Sequence, residues 1–159
     1  DAFSFGGEEV KVFETPGHTS GHITYWMPKA KLVFAGDTMF AMGCGRLFEG
    51  TPADMWSSLS KIAALPPETK VFCGHEYTLS NAKFAVTADP DNAALKARLA
   101  EVEKKTAAGI PTVPTTVAEE LATNPFVRAN TDEVAAAMGM PGASPEKVLG
   151  EVRARKDSF

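Results

Sequence analysis

The chain has 159 residues, enough for one ordinary domain or one and a fraction. Hydrophobic residues make up 44% and charged residues 23%, ordinary for a soluble globular protein with a sizeable core. A net charge of −4 excludes the basic footprint of a non-specific nucleic-acid binder, and no apolar run is long enough for a membrane-spanning helix.

No secretory signal is legible. Cys44 and Cys73 are too few for a disulfide framework and sit in loop-like contexts beside glycine, so both are expected as free thiols in a reducing, cytoplasmic compartment. The chain opens on Asp1, not methionine, with little before its first clear strand, which suggests a piece of a longer polypeptide.

Gly6-Gly7 is a turn signal. Val10 to Glu14 alternates as a strand, with Val10 and Val12 on one face, and Thr15-Pro16-Gly17 stops it. The Pro-Gly pair keeps His18 and His22 off a helix, so they are not the helical pair of a metalloprotease, which also needs a glutamate where Thr19 stands. Ile23 to Met27 and Leu32 to Gly36 form an antiparallel hairpin across Pro28-Lys29-Ala30-Lys31. The second of these strands is apolar throughout, so burial on both faces is expected, with Asp37 at its end. Met39 to Gly50 reads as a glycine-rich loop.

Thr51-Pro52-Ala53-Asp54 starts a helix, with Met55, Leu59, Ile62 and Ala63 at helical spacing. Lys70 to Cys73 is another strand, and His75 follows it. Beyond it strand signals disappear. Ser80 to Ala88 is expected helical, and Asp89-Pro90 to cap a helix ended by Gly109. Ile110 to Pro114 is an extended linker, Thr116 to Glu119 a capping box, Asn124-Pro125-Phe126 a turn, and Ser144-Pro145-Glu146 the start of a last helix towards Lys156. A mostly β part therefore reaches about Tyr77, and an all-α part follows.

All three histidines fall at strand ends beside glycine. His18, Asp37 and His75 offer two imidazoles and a carboxylate, a donor set that suits zinc, iron or manganese, and the two oxygens of Asp37 suit it to bridging two ions. His22 could be a further ligand or a partner that orients one by hydrogen bonding, and the second reading is favoured. Cys44, flanked by glycines, reads as an open thiol and a weak nucleophile candidate, for no base is placed beside it. Two local readings stay open for Arg46: one residue of a solvated loop, or a group reaching over the site to an anion. For Arg153 and Lys156, three apart on one helical face, the alternatives are complementing the helix dipole or clamping an anion.

Thr15-Pro16-Gly17-His18-Thr19-Ser20-Gly21-His22, Gly36-Asp37-Thr38, Gly43-Cys44-Gly45-Arg46, Phe48-Glu49-Gly50 and Cys73-Gly74-His75-Glu76-Tyr77-Thr78 resemble the hydroxyacylglutathione hydrolases, or glyoxalase II enzymes, of the metallo-β-lactamase fold. Asn124-Pro125-Phe126, Arg153 and Lys156-Asp157 are similar to that family's C-terminal helical domain. The resemblance implies an α/β (α+β) chain: part of an αββα sandwich over residues 1–77, then an all-α substrate-binding domain over 78–159. It implies hydrolysis of S-D-lactoylglutathione, an S-(2-hydroxyacyl)glutathione thioester, to glutathione and D-lactate in methylglyoxal detoxification. The cofactors would be two divalent metal ions, zinc first and iron or manganese next. His18 would ligate one ion and His75 the other, while Asp37 would bridge both and hold a hydroxide. Arg46, Leu47, Phe48, His75, Tyr77, Arg153 and Lys156 would line the glutathione site of a monomer with no nucleic-acid or membrane partner. Phe48 stands where some members carry tyrosine.

The family's His-x-His-x-Asp-His motif, which supplies four further ligands, is absent. The 159 residues alone are therefore expected to bind metal weakly and to be inactive, with a bare sheet edge and apolar face. Two rival readings are a persulfide dioxygenase-like enzyme with one iron, which the helical tail disfavours, and a non-catalytic glutathione-binding remnant.

Overall fold

The computed structural model describes all of residues 1–159. Five strands and a short edge strand form one sheet: β1 (Ala2–Phe5), β2 (Glu8–Glu14), β3 (Ile23–Met27), β4 (Leu32–Gly36), β7 (Lys70–Cys73) and β8 (Thr115–Thr116), in spatial order β1-β2-β3-β4-β7-β8. Neighbours run antiparallel except β4 and β7, which are parallel and joined through helix α1 (Pro52–Ala63). Between β4 and α1, β5 (Met39–Phe40) and β6 (Gly43–Cys44) form a small separate hairpin. Helices α2 (Thr78–Ala88), α3 (Ala93–Ala107), α4 (Val117–Thr123), α5 (Asp132–Ala137) and α6 (Pro145–Asp157) complete the chain.

Local chemistry sets the helix starts. Thr51 accepts from the Asp54 N–H while the Asp54 carboxylate accepts from the Thr51 N–H, and Thr116 and Glu119 make the same reciprocal pair for α4. Met55, Leu59 and Ile62 then fall on one face of α1 and are fully buried. They pack with Val33, Ala35 and Val71 of the sheet and with Val148, Leu149 and Val152 of α6, so one core runs from the sheet into the tail. A smaller cluster joins Met42 to Ala82 and Ala85 of α2 and Leu95 and Val102 of α3.

Several expectations need correction. β1 pairs with β2 across the Gly6-Gly7 turn, although the first strand was expected only at Val10. Strand β4 is covered on one face only: Val33 and Ala35 are buried, whereas Phe34 is 40% exposed. The open face carries Phe3 against Tyr25 and Phe34 stacked on Phe72, the bare apolar surface expected of an incomplete sandwich. Met39 to Cys44 is no loop but the buried β5–β6 hairpin. The part after Tyr77 is not wholly helical, since β8 adds to the sheet beside β7. Asn92, not Asp89, caps α3, and Asp89 closes α2.

Candidate metal centre and substrate cavity

The Pro16-Gly17 stop turns the chain after β2, and His22 folds back onto Thr15. Thr15 Oγ1 lies 2.8 Å from His22 Nδ1, and Thr38 Oγ1 lies 2.9 Å from the same nitrogen while donating to the Thr15 carbonyl. The Asp37 N–H donates to His22 Nε2 at 3.1 Å. That bond requires an unprotonated Nε2, so the network assigns the ring proton to Nδ1. Burial holds the His22 pKa below its ordinary value, against the opposing pull of Asp37, and keeps the ring neutral. His22 thus fixes the Asp37 backbone from behind.

In front, Asp37 stands between the other two imidazoles. His18 Nε2 is 3.6 Å from Asp37 Oδ2, and His75 Nε2 is 3.4 Å from Asp37 Oδ1. His18 Nδ1 lies 2.9 Å from the Arg46 carbonyl and donates its N–H to it, which leaves a lone pair on Nε2. Two donors held about 2.1 Å from one tetrahedral ion lie about 3.4 Å apart. Each side of Asp37 therefore has the spacing of two donors to one ion. The three side chains do not close on a single point; they make two donor pairs that share Asp37. A β-carbon on Gly45 would overlap the Asp37 carbonyl oxygen, so that approach demands glycine, and one on Gly74 would come within 2.5 Å of Asp37 Oδ1 and push the carboxylate aside.

The donors open into a cavity of about 420 Å³. Tyr77 stacks on His75 with ring centres 4.7 Å apart, Phe48 lies 5.1 Å from His18, and Phe40 meets Tyr77 at 5.3 Å. Arg46, Arg153 and Lys156 also line the cavity. Arg153, only 6% exposed, donates from Nη1 to the Cys44 carbonyl at 2.7 Å. Its Nε and Nη2 lie 3.0 and 2.9 Å from Asp157 Oδ1. Arg46 is exposed, its Nε 3.8 Å from the same oxygen. Burial, then the charges of Arg153 and Arg46, hold Lys156 below the usual lysine range. Arg155 turns away to Glu151 and to carbonyls at the end of α5. Arg153 and Lys156, both on α6, thus also line the cavity.

Leu47 does not join this lining; its side chain packs against the main core. Cys44 is buried, not open, and burial pushes its thiol up to about 11 although Arg153 pulls the other way. Such a thiol is protonated at neutral pH, which removes it as a nucleophile. Both cysteines are free thiols, as expected.

A family model described as "Hydroxyacylglutathione hydrolase C-terminus" matches residues 76–159. The chain belongs to that hydrolase family. A second model, "Metallo-beta-lactamase superfamily", matches residues 1–75. Over all 159 residues the chain is 55% identical to the hydroxyacylglutathione hydrolases of Maricaulis maris (strain MCS10) and Rhizobium meliloti (strain 1021), and it spans 62% of their length. Among solved structures it is similar to ETHE1 from Myxococcus xanthus, with a TM-score of 0.56 and 25% identity over 99% of this chain and 57% of that one. It is also similar to the BLEG-1 B3 metallo-beta-lactamase, with a TM-score of 0.53 and 26% identity over 79% of this chain and 44% of that one. The fold is that of the metallo-β-lactamases, with a helical C-terminal part.

Other members of the cavity wall escaped sequence reasoning: Phe40, Ser80 and Asn81. Phe40 hid in a stretch read as loop. Asn81 lies one helical turn past Tyr77, so its place beside a cavity residue was the one available signal.

Proposed function

We propose that these residues form the part of a metal-dependent thioesterase that carries three of its metal donors and its substrate cavity. The whole enzyme would cleave S-(2-hydroxyacyl)glutathione, S-D-lactoylglutathione first, to glutathione and the 2-hydroxy acid in the cytoplasm. One observation carries this reading: a carboxylate flanked on both sides by imidazole nitrogens at donor spacing, inside a cavity with three cations.

His18 and Asp37 would hold one divalent ion, and Asp37 and His75 a second; zinc suits these donors first, with iron and manganese also accommodated. When bound, the ions supply Lewis-acid polarisation of a carbonyl and activation of water at neutral pH. The protein's own residues do the rest. His22 holds Asp37 through its backbone N–H, and the Arg46 carbonyl keeps His18 turned with Nε2 inward. Arg46, Arg153 and Lys156 face an anionic substrate, and glutathione brings two carboxylates; charge-assisted bonds to them are worth roughly 1.5–3 kcal/mol each. Tyr77 and Phe48 give apolar faces beside the imidazoles.

Calorimetry with S-methylglutathione tests the substrate class. Binding that is lost in the double variant Arg46→Ala, Lys156→Ala supports it; no binding, or binding indifferent to both cations, refutes it. Each ion would find only two protein donors here, whereas catalytic zinc sites use three. S-lactoylglutathione with added zinc should therefore not be turned over by the 159 residues alone. Turnover near that of an intact enzyme would defeat that expectation. Oxygen uptake with glutathione persulfide would instead point to a dioxygenase, against which the match of the tail to the hydrolase C-terminus weighs.

A further inference from the structure

The β5–β6 hairpin has two residues in each strand, too few to hold itself in place. Yet it carries Phe40 to the cavity wall and leads directly into Gly45 against Asp37. Its remaining backbone groups are taken by side chains far along the chain. The Met42 N–H donates to Glu120 Oε1 at 2.7 Å. Asn124 shares its amide hydrogens among the Phe40 carbonyl at 3.3 Å, the Gly43 carbonyl at 2.9 Å and Glu120 Oε1 at 3.0 Å. Met42 itself stands at φ +57, a conformation that side-chain-bearing residues rarely adopt and that needs holding. Glu120 and Asn124 are 1% and 0% exposed, and neither lines the cavity.

We infer that Glu120 and Asn124 are positioning residues: a buried latch at α4 that fixes the β5–β6 hairpin and, through it, the cavity floor beside His75 and Tyr77. The two oxygens of Glu120 divide the work. Oε1 serves the hairpin, whereas Oε2 accepts from Arg98 Nη1 and from Thr115 Oγ1, both at 2.7 Å, and ties α3, β8 and α4 together. The helical part therefore does more than present cations. It sets the shape of a site whose candidate metal donors all lie on loops that follow strands of the sheet. The consequence for ligand binding rests on the glutathione reading above; the latch itself does not.

Peptide-resolved mass spectrometry of amide exchange and of Cys44 alkylation by iodoacetamide tests this in the unsubstituted chain, Asn124→Ala and Thr115→Val. Thr115 serves the other oxygen of Glu120, so its variant weakens the same network away from the hairpin. In the unsubstituted chain, the hairpin amides should exchange at least tenfold more slowly than those of residues 46–50. Asn124→Ala should speed native-state alkylation of Cys44 at least tenfold and weaken S-methylglutathione at least fivefold. Thr115→Val, compared at an equal margin below its own thermal midpoint, should leave both within about twofold. Equal acceleration in the two variants overturns the latch. Hairpin amides that exchange as fast as the loop also overturn it, and that measurement stands even where Asn124→Ala does not fold. Absence of S-methylglutathione binding by the unsubstituted chain would sink the substrate reading alone, with exchange and alkylation still deciding the latch.

Discussion

Raising the pH from about 8 to about 11 should destabilise this fold through one buried thiol. Burial lifts the Cys44 pKa from 9.0 to about 11, with Arg153 opposing. Between those values the unfolded chain has lost a proton that the native state keeps. The contribution is therefore fully present below about pH 9 and is lost as the pH rises, until the native thiol itself ionises near 11. At about 1.4 kcal/mol per unit, a shift of this size removes about 2–3 kcal/mol, a large part of a small domain's stability. Urea unfolding at closely spaced pH values, in the unsubstituted chain and in Cys44→Ala, isolates the effect, because lysines, tyrosines and Cys73 titrate alike in both. The variant should start about 1 kcal/mol less stable from lost packing and then overtake or match the unsubstituted chain near pH 11. Stability curves that stay parallel across that range would refute the assignment of a protonated, buried Cys44.

Gly45→Ala would set a β-carbon against the Asp37 carbonyl and the His18 side chain; a cost of roughly 1–3 kcal/mol in thermal unfolding and at least tenfold weaker zinc binding by calorimetry are expected. Arg153→Leu strands the buried Cys44 carbonyl and breaks the pair with the exposed Asp157, with an expected loss of roughly 1–3 kcal/mol in urea unfolding that Arg153→Lys does not fully restore, since one ammonium cannot span both partners. Lys156 is held below the usual lysine range by burial and by Arg153 and Arg46, so an incoming carboxylate raises its pKa. Binding of S-methylglutathione should then take up protons at alkaline pH and weaken as the pH rises through that lowered value, as calorimetry in buffers of different ionisation enthalpy would detect.

What the sequence revealed was whatever is decided locally. His18, Asp37 and His75 stood out because each follows a strand and a glycine or Pro-Gly stop, and Asp37 meets His75 because β4 and β7 lie side by side. The capping boxes at Thr51 and Thr116 need only four residues and were readable in full or in part. Contacts made at long range were not readable. The β5–β6 hairpin looked like a glycine-rich loop because its partners, Glu120 and Asn124, lie 78 to 84 residues away. Asp89 and Asn92 are both good N-caps by type; Asn92 takes the role because the Asp89 carboxylate is engaged by Arg128 at 2.9 Å. Strand β1 did alternate as Phe3-Ser4-Phe5 before the Gly6-Gly7 turn, but two aromatic positions in four residues are a short signal, and it went unread. Helix α5 did carry a usable signal, Thr131 before two acidic residues, which went unread.

The three cations of the cavity are not equivalent. A guanidinium has five N–H donors, and Arg153 commits three of them, one to Cys44 and two to Asp157. With its guanidinium laid over the Phe126 ring at 5.2 Å, it is a fixed part of the wall. Its charge is constant, but its geometry is already set by the protein. Arg46 has no partner closer than 3.8 Å and sits on an exposed loop, so its fork remains available for a bidentate bond. Lys156 rides over the Phe84 ring at 5.8 Å and keeps its own ammonium donors. A substrate carboxylate would therefore be gripped by Arg46 and Lys156 and located by Arg153. Replacing either of the first two would weaken binding with little change in fold, whereas replacing Arg153 would disturb the hairpin strand that bears Cys44 before it altered affinity.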